Sequence, residues 1–146
     1  MLNINKICGL ILACGMVAAT GASAGEKELV WTDEGDITFA TPSGNIGCHF
    51  IPAGGTSVYE PRNGGPELQC DRVEPSYVSV ILGPTGPVTR IDNPGEQGCC
   101  SLEQTLGYGD TWRRGPFSCT SARTGLTCSR RDGPGFSLSR SKVTVK

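Results

Sequence analysis

Six cysteines between residues 48 and 128 constrain this chain more than any other feature: Cys48, Cys70, Cys99, Cys100, Cys119 and Cys128. They follow a segment, residues 1–24, that reads as a secretory signal. Lys6 gives its basic start, Ile7 to Ala13 and the small apolar residues after it the hydrophobic stretch, and Ala22-Ser23-Ala24 an A-x-A cleavage site. An even cysteine set in an exported chain is the pattern of a disulfide framework. A structural zinc site needs cysteines paired at C-x₂-C type spacing, and the chain has no such pair.

The bridges matter because the apolar inventory is thin. Without the signal, 122 residues remain, enough for one domain, and Leu, Ile, Val and Phe account for only 24 of them. That fraction, about a fifth, is the lower edge of what buries a core. Each bridge adds about 2–4 kcal/mol.

Geometry prunes the pairings. Adjacent Cα atoms sit about 3.8 Å apart, closer than a relaxed disulfide prefers, so a Cys99–Cys100 bridge is disfavoured. Phe117 to Ser121 and Leu126 to Arg130 are short alternating runs around Ala122-Arg123-Thr124-Gly125, and Gly125 suits the positive φ of such a turn. Placing Cys119 opposite Cys128 also sets Ser121 against Leu126 and Phe117 against Arg130, which predicts a Cys119–Cys128 bridge. Cys48 and Cys70 are then expected to take Cys99 and Cys100 in some order, the side chains of an extended 99–100 dipeptide pointing to opposite faces.

Along the chain, residues 25–36 form an expected flexible acidic lead-in with Trp31 as its one anchor, ahead of a single domain over 37–146. Strands are expected at 37–39, 46–51, 77–82, 88–91, 117–121, 126–130 and 136–141, with a Val143/Val145 tail. Residues 52–69, rich in Gly and Pro, read as a long loop, and Leu102 to Leu106 as one helical turn at most. Short strands at regular spacing with Gly/Pro turns predict an all-β fold, a small disulfide-stapled sandwich or barrel of short antiparallel strands with little or no helix after the signal. One internal echo stands out. Phe39…Ser43-Gly44…Cys48 and Phe117…Thr124-Gly125…Cys128 are both hairpins opening on Phe and closing on Cys, a likeness that chance explains.

An ordered set of motifs carries more. Phe39-x-Thr41-Pro42-Ser43-Gly44-Asn45-Ile46-Gly47-Cys48 is followed by Tyr108-Gly109-x-x-Trp112, then Gly115-x-Phe117-x-Cys119-x-Ser121, Gly125-Leu126-Thr127-Cys128 and Gly133-x-Gly135-Phe136-x-Leu138-Ser139-Arg140. Together they resemble a domain family of unknown function found in small secreted or surface-attached bacterial proteins, across residues 37–141. The chain departs from that pattern at Pro134, where the resemblance leads one to expect His, and in its adjacent Cys99-Cys100. The resemblance implies location and fold and adds no chemistry.

Catalysis has one candidate. His49 is the only histidine, so any Ser-His-Asp or Cys-His arrangement must use it, with Asp71, Asp92 or Asp110 as orienter. No G-x-S-x-G elbow or H-E-x-x-H accompanies it, and a strand histidine beside a bridged cysteine is the plainer account. Asp33, Glu34 and Asp36 are placed as a solvated acidic face, and their spacing is not that of an EF-hand. The glycines are scattered among prolines as turns and cradle no phosphate. No cofactor and no metal is therefore expected.

Charge is segregated. Residues 25–110 hold thirteen acids against Lys27, Arg62, Arg72 and Arg90, a net of −9, whereas residues 111–146 hold eight basic residues against Asp132, a net of +7. One account is internal, an acidic two-thirds packing on a basic meander. The functional account is a basic β-surface for an unknown protein or a polyanionic envelope component, with Trp112 and Phe117 as anchors among Arg113, Arg114, Arg130 and Arg131. Nucleic acid is disfavoured by export. No apolar run after the signal is long enough to span a bilayer. Secretion or a periplasmic location is expected, a lipoprotein anchored through Cys14 being the weaker alternative. The function so read is an exported domain that acts by binding. The alternatives are an inhibitor plugging an enzyme with loop 41–47 or 107–116, and a small hydrolase-like enzyme using His49.

Overall fold

The computed structural model describes residues 24–96 and 102–146. Alternation decides its strands: β1 (Ile37–Ala40), β2 (Ile46–Ile51), β3 (Glu67–Arg72), β4 (Val78–Leu82), β5 (Thr89–Asp92), β6 (Thr111–Arg114), β7 (Phe117–Ala122), β8 (Gly125–Arg130), β9 (Gly135–Leu138) and β10 (Val143–Val145). They form two antiparallel five-stranded meanders, β1 to β5 and β6 to β10, each with its strands side by side in chain order. No helix occurs among the described residues, so none there is long and apolar enough to cross a membrane.

The sheets pack face to face through their alternate inward residues. Phe39, Cys48, Phe50, Leu68, Cys70, Val80 and Leu82 meet Trp112, Phe117, Cys119, Leu126, Cys128, Phe136 and Leu138 in one buried cluster. Aromatic rings stitch the layers at the centre: Trp112 lies 5.3 Å from Phe39 and 5.7 Å from Phe50 between ring centroids, and Phe50 lies 6.1 Å from Phe117. Such pairs add about 0.5–1.5 kcal/mol each beyond the area they bury.

Cys119 bridges Cys128 in the register expected, with Phe117 opposite Arg130 and Ser121 opposite Leu126. The other expected pairing is corrected: Cys48 and Cys70 bridge each other. The reason is β3, a strand inside what reads as a loop, which sets Cys70 directly opposite Cys48 on β2. The two bridges share a Cα separation of 4.1 Å, the close approach of side-by-side antiparallel partners. Cys99 and Cys100 lie outside the described residues, as does nearly all of the expected signal.

One further reading changes. Residues 25–36 are held at more than Trp31. Lys27 N donates to Thr111 O and Thr111 N to Gly25 O along the edge of β6, and Leu29, not Trp31, is the buried anchor. Leu102 to Leu106 makes no helical turn; Thr105 bridges Ala40 beside β1, and Leu106 is in the core.

Candidate functional site

The structure divides the residues expected to form a basic binding surface. Trp112 and Phe117 are 1% exposed and belong to the core, so neither serves as a surface anchor. Both sit on the inward face of their strands, and alternation leaves only their neighbours for solvent. Arg130 is buried too. Its guanidinium donates to Gly83 O and Gly86 O at 2.7 Å each and to both carboxylate oxygens of Asp132. Hydrogen bonds from that guanidinium hold the Asp132 carboxyl below the usual carboxylate range.

Arg113, Arg114 and Arg131 are brought together. They line a depression around the tight β6–β7 turn, together with Ser118 and Ser129, and no carboxylate is among its walls. Arg113 reaches outward to Glu26 at 2.9 Å, and both partners are more than half exposed. Arg114 lies over the Trp31 ring, 5.3 Å from its centroid, a cation–π contact.

A second site appears on the outer face of the first sheet. The β2–β3 connection, residues 52–66, folds back over that face and, with residues 93–96, walls a cavity of about 480 Å³. Its connection is tied down by Ser57 N and Oγ donating to Glu34 O, and by Tyr59 OH donating to Glu67 Oε1 at 3.1 Å. Burial, with the nearby Glu67 charge, raises the Tyr59 phenol above its ordinary value.

His49 points into this cavity from β2, and its partner is none of the three aspartates considered. Its Nδ1 lies 3.3 Å from Asp36 Oδ2. Asp36 sits where β1 begins, and because Thr38 pairs with His49 the residue just before β1 lands beside the imidazole. Thr32 Oγ1 donates to the other Asp36 oxygen. Asp92 instead pairs with Arg90 at 2.8 Å, and Asp110 caps the 107–110 turn through its backbone.

Asp71 shares the cavity with His49 but does not orient it. It is 3% exposed, faces outward from β3, and its Oδ1 has no hydrogen-bond donor among the described residues. Burying a carboxylate oxygen without a partner is costly. Glu34 and Glu96 complete four carboxylates, and the described lining contains no Lys or Arg. Sequence reasoning named Asp71 only as a histidine partner and left Asp36 in the lead-in. The alternation of β3, with Gln69 and Asp71 on one face and Leu68 and Cys70 on the other, was the signal for both its strand and its exposed side. Among the described residues, no three His, Cys, Asp or Glu side chains converge as metal ligands do. No family model, curated protein or solved structure matches the chain.

Proposed function

We propose that the protein is an exported binding domain whose second sheet is directed at an anionic envelope or extracellular partner, with Arg113, Arg114 and Arg131 at the point of contact. One observation carries this reading: the sequence divides its charge at residue 110, and the chain crosses from one sheet to the other across the same stretch, between Asp92 and Thr111. Most of the net −9 therefore lies with the first sheet and its approaches, Glu26 bridging to β6, and the net +7 with the second. Internal neutralisation leaves most of that charge available. Among the described residues the ion pairs include one between the two regions, Arg113 to Glu26, and it is exposed. The signal-like start, the two bridges and the motif resemblance support export to a secreted or periplasmic location.

Binding also fits the histidine better than catalysis does. Of the hydroxyls in its cavity, that of Tyr59 donates to Glu67 and that of Thr56 to Tyr59 O, while Ser79 Oγ accepts from Gln69 Nε2.

The test is binding to vesicles containing an anionic phospholipid, at two salt concentrations. An arginine near such a surface contributes about 1 kcal/mol, so Arg113→Glu, Arg114→Glu and Arg131→Glu together are expected to weaken binding about 100-fold or more. The wild type should lose affinity as salt shortens the screening length to about 8 Å at 0.15 M. A triple variant with unchanged affinity and salt slope overturns the proposal.

A further inference from the structure

We propose that the cavity on the outer face of the first sheet binds a primary alkylammonium, an –NH₃⁺ group on an aliphatic stem, with Asp71 as its counter-charge. The site is separate from the basic face, and the inference stands without that reading. Asp71 Oδ1 is the starting point: a buried oxygen, without a donor among the described residues, in the wall of a cavity of about 480 Å³. Neighbouring side chains do not supply the missing proton. Gln69 Nε2 is turned to Ser79 Oγ at 3.3 Å, and His49 Nδ1 is taken up by Asp36. A cation entering the cavity supplies it and meets three more carboxylates, those of Asp36, Glu34 and Glu96, with no fixed basic side chain competing.

The kind of cation follows from the walls. The carboxylates are too dispersed to gather on one metal ion, whereas Ile51, Val58, Ile81 and Ile91 line the same space. Aliphatic walls fit a methylene stem, as long cationic side chains lie along apolar surface with only the head in a polar site. A single orphaned oxygen matches a compact ammonium with three rotatable donors. A guanidinium fork, built for two parallel bonds to one carboxylate, fits it poorly. Two sources carry this chemistry: a free small amine and the side chain of a lysine in another polypeptide.

The experiment is calorimetric titration of the full mature protein with 1,5-diaminopentane and with Nα-acetyl-lysine methylamide. Butanol, butylguanidine and calcium chloride serve as controls. Both amines are expected to bind, butanol and calcium are not, and butylguanidine should bind more weakly than either amine. Asp71→Asn, which keeps the shape and removes the charge, is expected to weaken amine binding about tenfold or more. Ile91→Lys at the exposed mouth places a competing ammonium in the cavity and is expected to abolish binding even if the Asp71 variant fails to fold. The tighter of the two amines names the source, and either order upholds the site. Equal amine affinity in the wild type and both variants overturns the proposal. Preferential binding of butylguanidine or calcium, or no amine binding at all, also overturns it.

Discussion

The two sheets are built on one plan, and they differ chiefly in what their second connection does. In each, the first strand carries a large aromatic opposite the first bridging cysteine, Phe39 against Cys48 and Trp112 against Cys119. In each, the bridge joins the second strand to the third, and an inward arginine follows two residues later, Arg72 and Arg130. Both arginines cross to the opposite sheet, Arg72 Nη1 to Ser139 O after β9 and Arg130 to Gly83 O and Gly86 O after β4. Yet fifteen residues join β2 to β3, and only Arg123 and Thr124 join β7 to β8. The long connection roofs an outer face bearing His49, Gln69 and Asp71. The short one leaves Ser118, Thr120 and Thr127 on an open face. One scaffold thus yields a walled cavity or a plain surface according to the length of a single loop, which is how sheets commonly acquire sites.

The sharpest attack on this equivalence is truncation of the two aromatics. Trp112→Ala and Phe39→Ala are each expected to cost about 3–5 kcal/mol in urea unfolding. A Phe39 variant as stable as wild type would reduce the likeness to mere shape. Next come the bridges. Replacing Cys48 and Cys70 by Ser releases a loop of 22 residues and replacing Cys119 and Cys128 one of 9, so the losses are expected near 3.5 and 2.5 kcal/mol respectively. Equal losses would show that strand packing, not chain constraint, sets the contribution.

The turns supply another contrast, between two glycines. Gly125 has φ +136°, and a Cβ there would lie 2.3 Å from Leu138 O, whereas Gly44 has φ +70° and open space around it. Gly125→Ala is expected to lower stability by about 2–4 kcal/mol and Gly44→Ala by about 1 kcal/mol, measured in the same unfolding assay.

The gentlest probe is pH. Asp132 is held below its ordinary value by the Arg130 hydrogen bonds. Its contribution is present above the usual carboxylate range and is lost as acid protonates it through the folded-state value. Among the described residues, Arg72 donates to neutral acceptors, Ser139 O, Ser76 O and Ser76 Oγ. Acid should therefore loosen only the Arg130 side, and Asp132→Asn should flatten that limb of the stability profile. At the alkaline end the Tyr59 phenol is raised. Its contribution is whole below the ordinary tyrosine value and falls as pH climbs past it, a loss that Tyr59→Phe should remove.

How much of this was legible in the chain is clearest on β7 and β8. There the cysteine spacing, the alternation and Gly125 agree, and the register follows residue for residue. β3 was hidden because Glu67-Leu68-Gln69-Cys70-Asp71-Arg72 contains no β-branched or aromatic residue and follows a Pro/Gly-rich stretch. Missing it sent Cys48 and Cys70 to Cys99 and Cys100 in two bridges, where they form one with each other. Trp112 read as a surface anchor because two arginines follow it, but a four-residue strand with one buried residue produces the same local pattern. The hairpin echo was a false match as well: the counterpart of β1–β2 is β6–β7, not β7–β8. The cavity was least legible, since it depends on where a long loop lies over a sheet and on an aspartate, Asp36, that sequence distance separates from His49.

The crossed arginines have a consequence for how the molecule comes apart. Each meander closes its last hairpin with a residue borrowed from the other, so a state with one half formed and the other melted leaves a guanidinium stranded and a turn unclasped. Partial opening is thereby penalised from both sides. Heat and denaturant should meet a single cooperative transition, with the slowest-exchanging amides spread over β2, β3, β7 and β8 alike.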